Sequence, residues 1–168
     1  MAVHELGHIA GAIVTGGSVQ RVVLYPLTIS RTDVSPNPHP AIVVWLGPII
    51  GCMLPLGLFA IVPQRLKVMR KIARFFAGFC LIANGAYISI GSLNQIGDCR
   101  EMLRTGTPLW VLLVFGIVAI SLGLYLWSGL GSVKHFIDHP EFITPPMAYV
   151  VAGLLFVVVA AGFAFFPR

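Results

Sequence analysis

His4-Glu5-Leu6-Gly7-His8 places two imidazoles four residues apart with a carboxylate directly after the first. On a helix, positions i and i+4 lie one turn apart on the same face, so the two rings converge on one point. Zinc accepts imidazole nitrogen at about 2.0–2.1 Å, and the glutamate can reach a water beside the ion and take its proton. The metal lowers the pKa of that water toward about 7, which gives a nucleophile strong enough for an amide. Glu5 sits in an otherwise apolar stretch, AVHELGHIAGAIV. An acidic residue at the centre of a membrane helix costs about 2.5–3.5 kcal/mol on insertion scales, so an unused one is disfavoured.

A catalytic zinc keeps one position open and takes three protein ligands, so a third must come from elsewhere. Besides Glu5 the chain has only Asp33, Asp98, Glu101, Asp138 and Glu141 as acids. Asp98 alone follows directly on a polar-faced apolar segment, GSLNQIGD, and ranks first. Glu101 is the weaker alternative, as ligand or as partner of one, and His39 lies in a turn. Asn84 and Asn94 are candidates to polarise a substrate carbonyl by donating a hydrogen bond. His135 and His139 repeat the i, i+4 spacing, but no glutamate follows the first and Pro140 ends any helix there. They read as an interfacial loop.

The elements that must hold these residues are membrane elements. The chain is 57% hydrophobic and 10% charged, with a mean hydropathy of +0.90, far from an average soluble domain. Its net charge of +5 does not point to nucleic acid, because five of its eleven basic residues fall at 65–74 between two apolar runs without interleaved aromatic residues. Cys52, Cys80 and Cys99 are too scattered for a zinc knuckle or a disulfide framework. Met1 is followed at once by the polar motif, so no signal peptide is expected.

Four runs, 40–62, 75–96, 108–130 and 147–166, are each long enough to cross a hydrocarbon core of about 30 Å. Gly47-Pro48, Gly51 and Pro55 interrupt the first, predicting a kink and close packing. The second carries Asn84, Ser89, Ser92, Asn94 and Gln95, which should face protein or water. Residues 1–16 predict a helix ending at Gly16-Gly17 that reaches only about 24 Å. Residues 18–34, divided by Pro26, predict a two-stranded element near the bilayer, and 35–40 a proline-rich turn. The expected fold is therefore an all-α membrane bundle of about four spans plus the motif helix and a β-hairpin-like element. One domain comprises a core at 1–106 and two C-terminal membrane helices at 107–168.

Three stretches carry a likeness: HELGHIAGAIVTGG at 4–17, WLGPIIG at 45–51 and GSLNQIGDCREMLRTG at 91–106. In these the chain resembles the site-2 protease family of intramembrane zinc metalloproteases, particularly small bacterial members without PDZ or CBS domains. The resemblance implies one zinc on His4, His8 and Asp98, with Glu5 as general base. It also implies cleavage of membrane-embedded peptide segments added as a strand beside residues 18–34, in a multi-pass protein of the bacterial inner membrane. Cys99 stands where the family usually has glycine, and neither Asn84 nor Asn94 is followed by the family's proline. The family also has an apolar half-helix before the motif, which predicts further residues upstream of Met1. The positive-inside rule puts the 65–74 stretch in the cytoplasm and the metal site outside, whereas the resemblance implies a cytoplasmic-facing site. Two other readings stay open at this level: a zinc-binding membrane protein without peptidase activity, and a structural subunit.

Overall fold

The computed structural model describes residues 1–24, 30–131 and 145–165. Helix α1 (Ala2–Val14) is followed by strands β1 (Val19–Val23) and β2 (Arg31–Val34), then by α2 (Pro40–Ile61) and α3 (Lys67–Asn94). The short α4 (Asp98–Arg104), α5 (Leu109–Ser128) and α6 (Pro145–Phe165) complete the described elements. β1 and β2 pair antiparallel, with Val22 opposite Thr32 and Val23 opposite Arg31. Pro26, expected to divide the strands, and the His135/His139 pair lie outside the described residues.

Local chemistry explains most element ends. α1 stops where Gly16 adopts φ +75°, and the Gly17 N–H closes back onto Ala12 O at 2.7 Å, satisfying a terminal carbonyl. α2 starts with Pro40 in its first turn, where the missing N–H costs nothing. Pro48 and Pro55 lie inside a continuous α2 and are buried rather than ending it. α3 ends at a left-handed Gln95, and Gly97, at φ +54°, turns the chain into α4.

The second membrane helix starts earlier than its apolar run predicts, at Lys67 rather than 75. The basic stretch therefore belongs mostly to the first turns of α3. Arg70 donates from Nη1 to Val62 O (2.6 Å) at the end of α2, and Arg74 donates from Nε to Leu126 O (2.7 Å) near the end of α5. Cations are favoured at helix C-termini, so this placement stabilises both ends at once. Arg70 also lies 4.7 Å from the centre of the Phe59 ring.

Glycines set how closely the helices approach. On α1, a Cβ at Gly7 would collide with Leu46 O, and one at Gly11 would come within 2.9 Å of Val43 Cα. The order of these contacts makes α1 antiparallel to α2. α3 and α5 meet along a second antiparallel seam, where a Cβ on Gly85 would stand 2.9 Å from Gly116 O and one on Gly123 2.7 Å from Gly78 O. Small residues at such crossings let membrane helices approach backbone to backbone. Above the seam, Val44, Ile88, Cys99, Met102 and Leu112 form one buried cluster, joining α2, α3, α4 and α5.

α2, α3 and α5 are each long and apolar enough to cross a membrane. Their outer faces leave Met53, Leu58, Phe75, Phe79, Ile117 and Val118 exposed, a continuous apolar surface that suits lipid and not water. The chain is accordingly a membrane protein. The fourth expected run forms α6, of which Ala152–Ala164 is a shorter apolar helix. Asn84 and Ser92 are buried in the protein as expected of a membrane helix, whereas Asn94 and Gln95 are exposed at its end.

The α3–α5 seam yields a paired test. A methyl at Gly116 would collide with Ser89 and come within 2.7 Å of Gly85 O, whereas one at Gly57 would meet nothing within 4 Å. Gly116→Ala is expected to destabilise by about 1–3 kcal/mol, as overpacking does. Gly57→Ala should be neutral or stabilising by up to about 1 kcal/mol, and thermal unfolding in detergent checks both.

Candidate metal centre

His4, His8 and Asp98 meet, although 94 residues separate the first from the last. One ligand atom from each lies within 4.8 Å of the others. Asp98 Oδ2 is 2.8 Å from His4 Nε2 and 3.2 Å from His8 Nε2. Both histidines are almost wholly buried, at 2% and 5% exposure, so their ring protons must have defined partners.

Those partners assign the tautomers. His8 Nδ1 lies 2.8 Å from Val43 O, and a carbonyl oxygen only accepts, so Nδ1 carries the proton. His4 Nδ1 donates to Asn84 Oδ1 at 2.7 Å, while the Asn84 amide nitrogen donates to Cys80 O at 2.8 Å and so fixes which end of the amide faces the ring. The lone pairs on both Nε2 atoms then point at a carboxylate oxygen. Three electron-pair donors at such distances repel one another unless a proton or a metal cation lies among them. Ligands at about 2.0–2.1 Å from a tetrahedral zinc stand roughly 3.3 Å apart, close to the 2.8 and 3.2 Å that already separate the carboxylate oxygen from the two nitrogens.

The surroundings fit an ion as well as the donors do. A Cβ on Gly47 would collide with the His8 ring and stand 2.9 Å from His4 Nε2, so only glycine leaves room beside both rings. Gly51 one turn on gives Asn84 its place, since a Cβ there would lie 2.7 Å from Asn84 Oδ1. Burial alone would raise the Asp98 pKa, but wherever a proton sits on the facing Nε2 atoms the hydrogen bonds and charges of His4 and His8 outweigh it and hold the carboxyl well below the usual range. Gly47 lies seven residues into α2, which sets the centre about 10 Å below the start of that helix.

Glu5 is 2% exposed, and its Oε2 accepts a hydrogen bond of 2.8 Å from the Thr32 hydroxyl on β2. A cavity of about 540 Å³ reaches the centre between His8 and Asp98 on one side and Thr32, Asp33 and Val34 on the other. Glu101 lines this cavity and pairs loosely with Arg104 at 3.9 Å, outside the ligand group. His39 is exposed and precedes the first residue of α2. Asn84 has both ends of its amide committed, to His4 and to Cys80, and Asn94 lines a different cavity. Both therefore stand away from the cavity beside the ligands.

Sequence reasoning passed over three contributors: Gly47, Thr32 and Tyr87. The Tyr87 hydroxyl accepts the Asp98 N–H at 3.1 Å, and its ring packs edge-on against His4 with centres 5.6 Å apart. Gly97 is required beside it, because a Cβ there would collide with the same hydroxyl. The Gly-Pro pair at 47–48 was the available signal for Gly47; nothing in the sequence singled out Thr32 or Tyr87.

His4→Ala, His8→Ala and Asp98→Ala are each expected to lose one bound zinc per chain, measured by metal analysis of detergent-purified protein. Gly47→Ala should lose it too without altering any ligand. Asn84→Ala should weaken binding about 10–100-fold, the usual effect of removing an outer hydrogen-bond partner. Wild type without zinc at neutral pH would remove the metal reading.

No family model, curated protein or solved structure matches the chain.

Proposed function

We propose that the chain is an intramembrane zinc metalloendopeptidase of the site-2 protease kind. The observation that carries this reading is the pairing of a three-donor centre, His4, His8 and Asp98, with a buried carboxylate, Glu5, beside one peptide-sized cavity. A zinc ion held there supplies Lewis acidity, which polarises a carbonyl and makes water nucleophilic near neutral pH.

The chain's own residues do the remaining work. Glu5 takes the proton from the attacking water and delivers it to the leaving amine, the general-base and general-acid roles of one carboxylate. Thr32 holds that carboxylate toward β2. Asn84 and the Val43 carbonyl keep both imidazoles in the tautomer whose Nε2 is free to bind. Tyr87 holds the Asp98 backbone through its N–H. A substrate segment in extended form suits the cavity wall made by Thr32–Val34, because strand addition exposes the amide to be cut.

The depth of about 10 Å below the start of α2 supports a substrate bond buried at the membrane boundary. A fourth span formed by α6 and a place in the bacterial cell membrane complete the proposal.

Glu5→Gln is the discriminating variant. It should keep one zinc and lower cleavage of a membrane-embedded peptide by at least about 100-fold, since it removes proton transfer alone. Cleavage by Glu5→Gln at the wild-type rate would defeat the proposed mechanism. A zinc-loaded wild type that cleaves nothing would favour a zinc-binding membrane protein without peptidase activity.

A further inference from the structure

A second cavity, of about 370 Å³, is lined by Tyr87, whose ring packs against His4. Its other walls are Met1, Ala86, Ile90 and Ile96, with Ser30 and Asn94 as polar lining. We infer that this groove receives the apolar side chain of the substrate residue next to the cleaved bond. The inference rests on the peptidase reading above and adds the class of residue selected there.

Two observations argue for a peptide as occupant. The first is Ser30, whose hydroxyl oxygen is buried without a hydrogen-bond partner among the described residues. A lipid tail offers such a group nothing, whereas a peptide backbone offers both a donor and an acceptor. The second is the path of the chain between the two cavities. Ser30 lines the apolar groove, Thr32 binds Glu5, and Val34 lines the cavity at the metal centre. Alternate residues of an extended chain face the same way and stand about 7 Å apart. A substrate strand laid along this path therefore passes the groove, then Glu5, then the metal centre within a few residues. The groove is also one side chain away from the ligands, since the same tyrosine ring touches His4.

The volume admits a leucine or phenylalanine side chain, and the mostly apolar walls carry few polar groups, those of Ser30, Tyr87 and Asn94. Selectivity should then rise with apolar size and collapse when the groove is filled. Ala86 is the residue to change, because it lines the groove and takes no part in the metal centre.

Zinc-loaded full-length chain in nanodiscs would be given membrane peptides carrying Gly, Ala, Leu or Phe at successive positions around the cut. Wild type is expected to favour Leu or Phe over Gly by at least about tenfold at one position, the scale of discrimination an apolar pocket provides. Ala86→Phe should abolish that preference, lowering cleavage of the Leu and Phe peptides far more than that of the Gly peptide, with zinc content unchanged. Unchanged selectivity in Ala86→Phe, or an equal loss for all peptides, overturns the inference.

A binding readout separates this from the peptidase reading. Glu5→Gln loaded with zinc and a photoreactive-leucine peptide should crosslink within residues 86–96. A wild type that cleaves its peptides while the crosslink falls elsewhere refutes the groove alone. Crosslinking at 86–96 without cleavage by wild type refutes hydrolysis and leaves a peptide-binding groove. Labelling of those residues by a photoreactive lipid that peptide does not displace assigns the groove to lipid instead.

Discussion

Mutual repulsion among three electron-pair donors is the constraint around which this structure is arranged. His4 Nε2, His8 Nε2 and Asp98 Oδ2 are brought together with both rings buried and the carboxylate partly so. Such an arrangement is tolerable only with a proton or a metal cation among them, and it demands that each donor be held by something else. The Val43 carbonyl and the Asn84 amide hold the rings, Tyr87 holds the aspartate's backbone, and the four helices α1 to α4 are thereby tied to one point. Removing any of these supports leaves the donors free to relax apart.

The crossing of α1 and α2 answers the same constraint. His8 can reach the Val43 carbonyl, and both imidazoles can face Asp98, only if α1 lies almost against the backbone of α2. Gly7, Gly11 and Gly47 permit that contact. The α3–α5 seam repeats the device away from the centre, with Gly78, Gly85, Gly116 and Gly123 spaced by seven residues on each helix. It anchors the helix that carries Asn84 and Tyr87, so rigidity in an apolar seam becomes positional precision at a polar site.

Much of this was legible in the sequence, for reasons that differ by element. The motif helix, the turn into α2 and the apolar runs of α2 and α5 follow from local composition, and the structure places them within a few residues of expectation. Asp98 emerged by elimination, because acids are so few in this chain that the ligand list was short. The start of α3 was misplaced because Arg70 and Arg74 read as loop charges, whereas their partners are carbonyls of α2 and α5. Tertiary partners of that kind leave no local trace. The same holds for Asn84, whose role comes from His4, 80 residues away, and for the glycine seam, whose meaning exists only when two helices are laid side by side.

The separation of His4 from Asp98 along the chain has a consequence in time. The first histidine emerges from the ribosome 94 residues before the aspartate that completes the set. At about 5–20 residues per second, translation runs for roughly 5–20 s between the two. For most of that interval the nascent chain holds both imidazoles and Glu5 without the amide and tyrosine that orient the set, and throughout it lacks the third donor. Assembly of the three-donor centre is therefore a late event in synthesis, deferred until α3 and α4 have joined the earlier helices. A polypeptide arrested before residue 98 carries the motif without the centre.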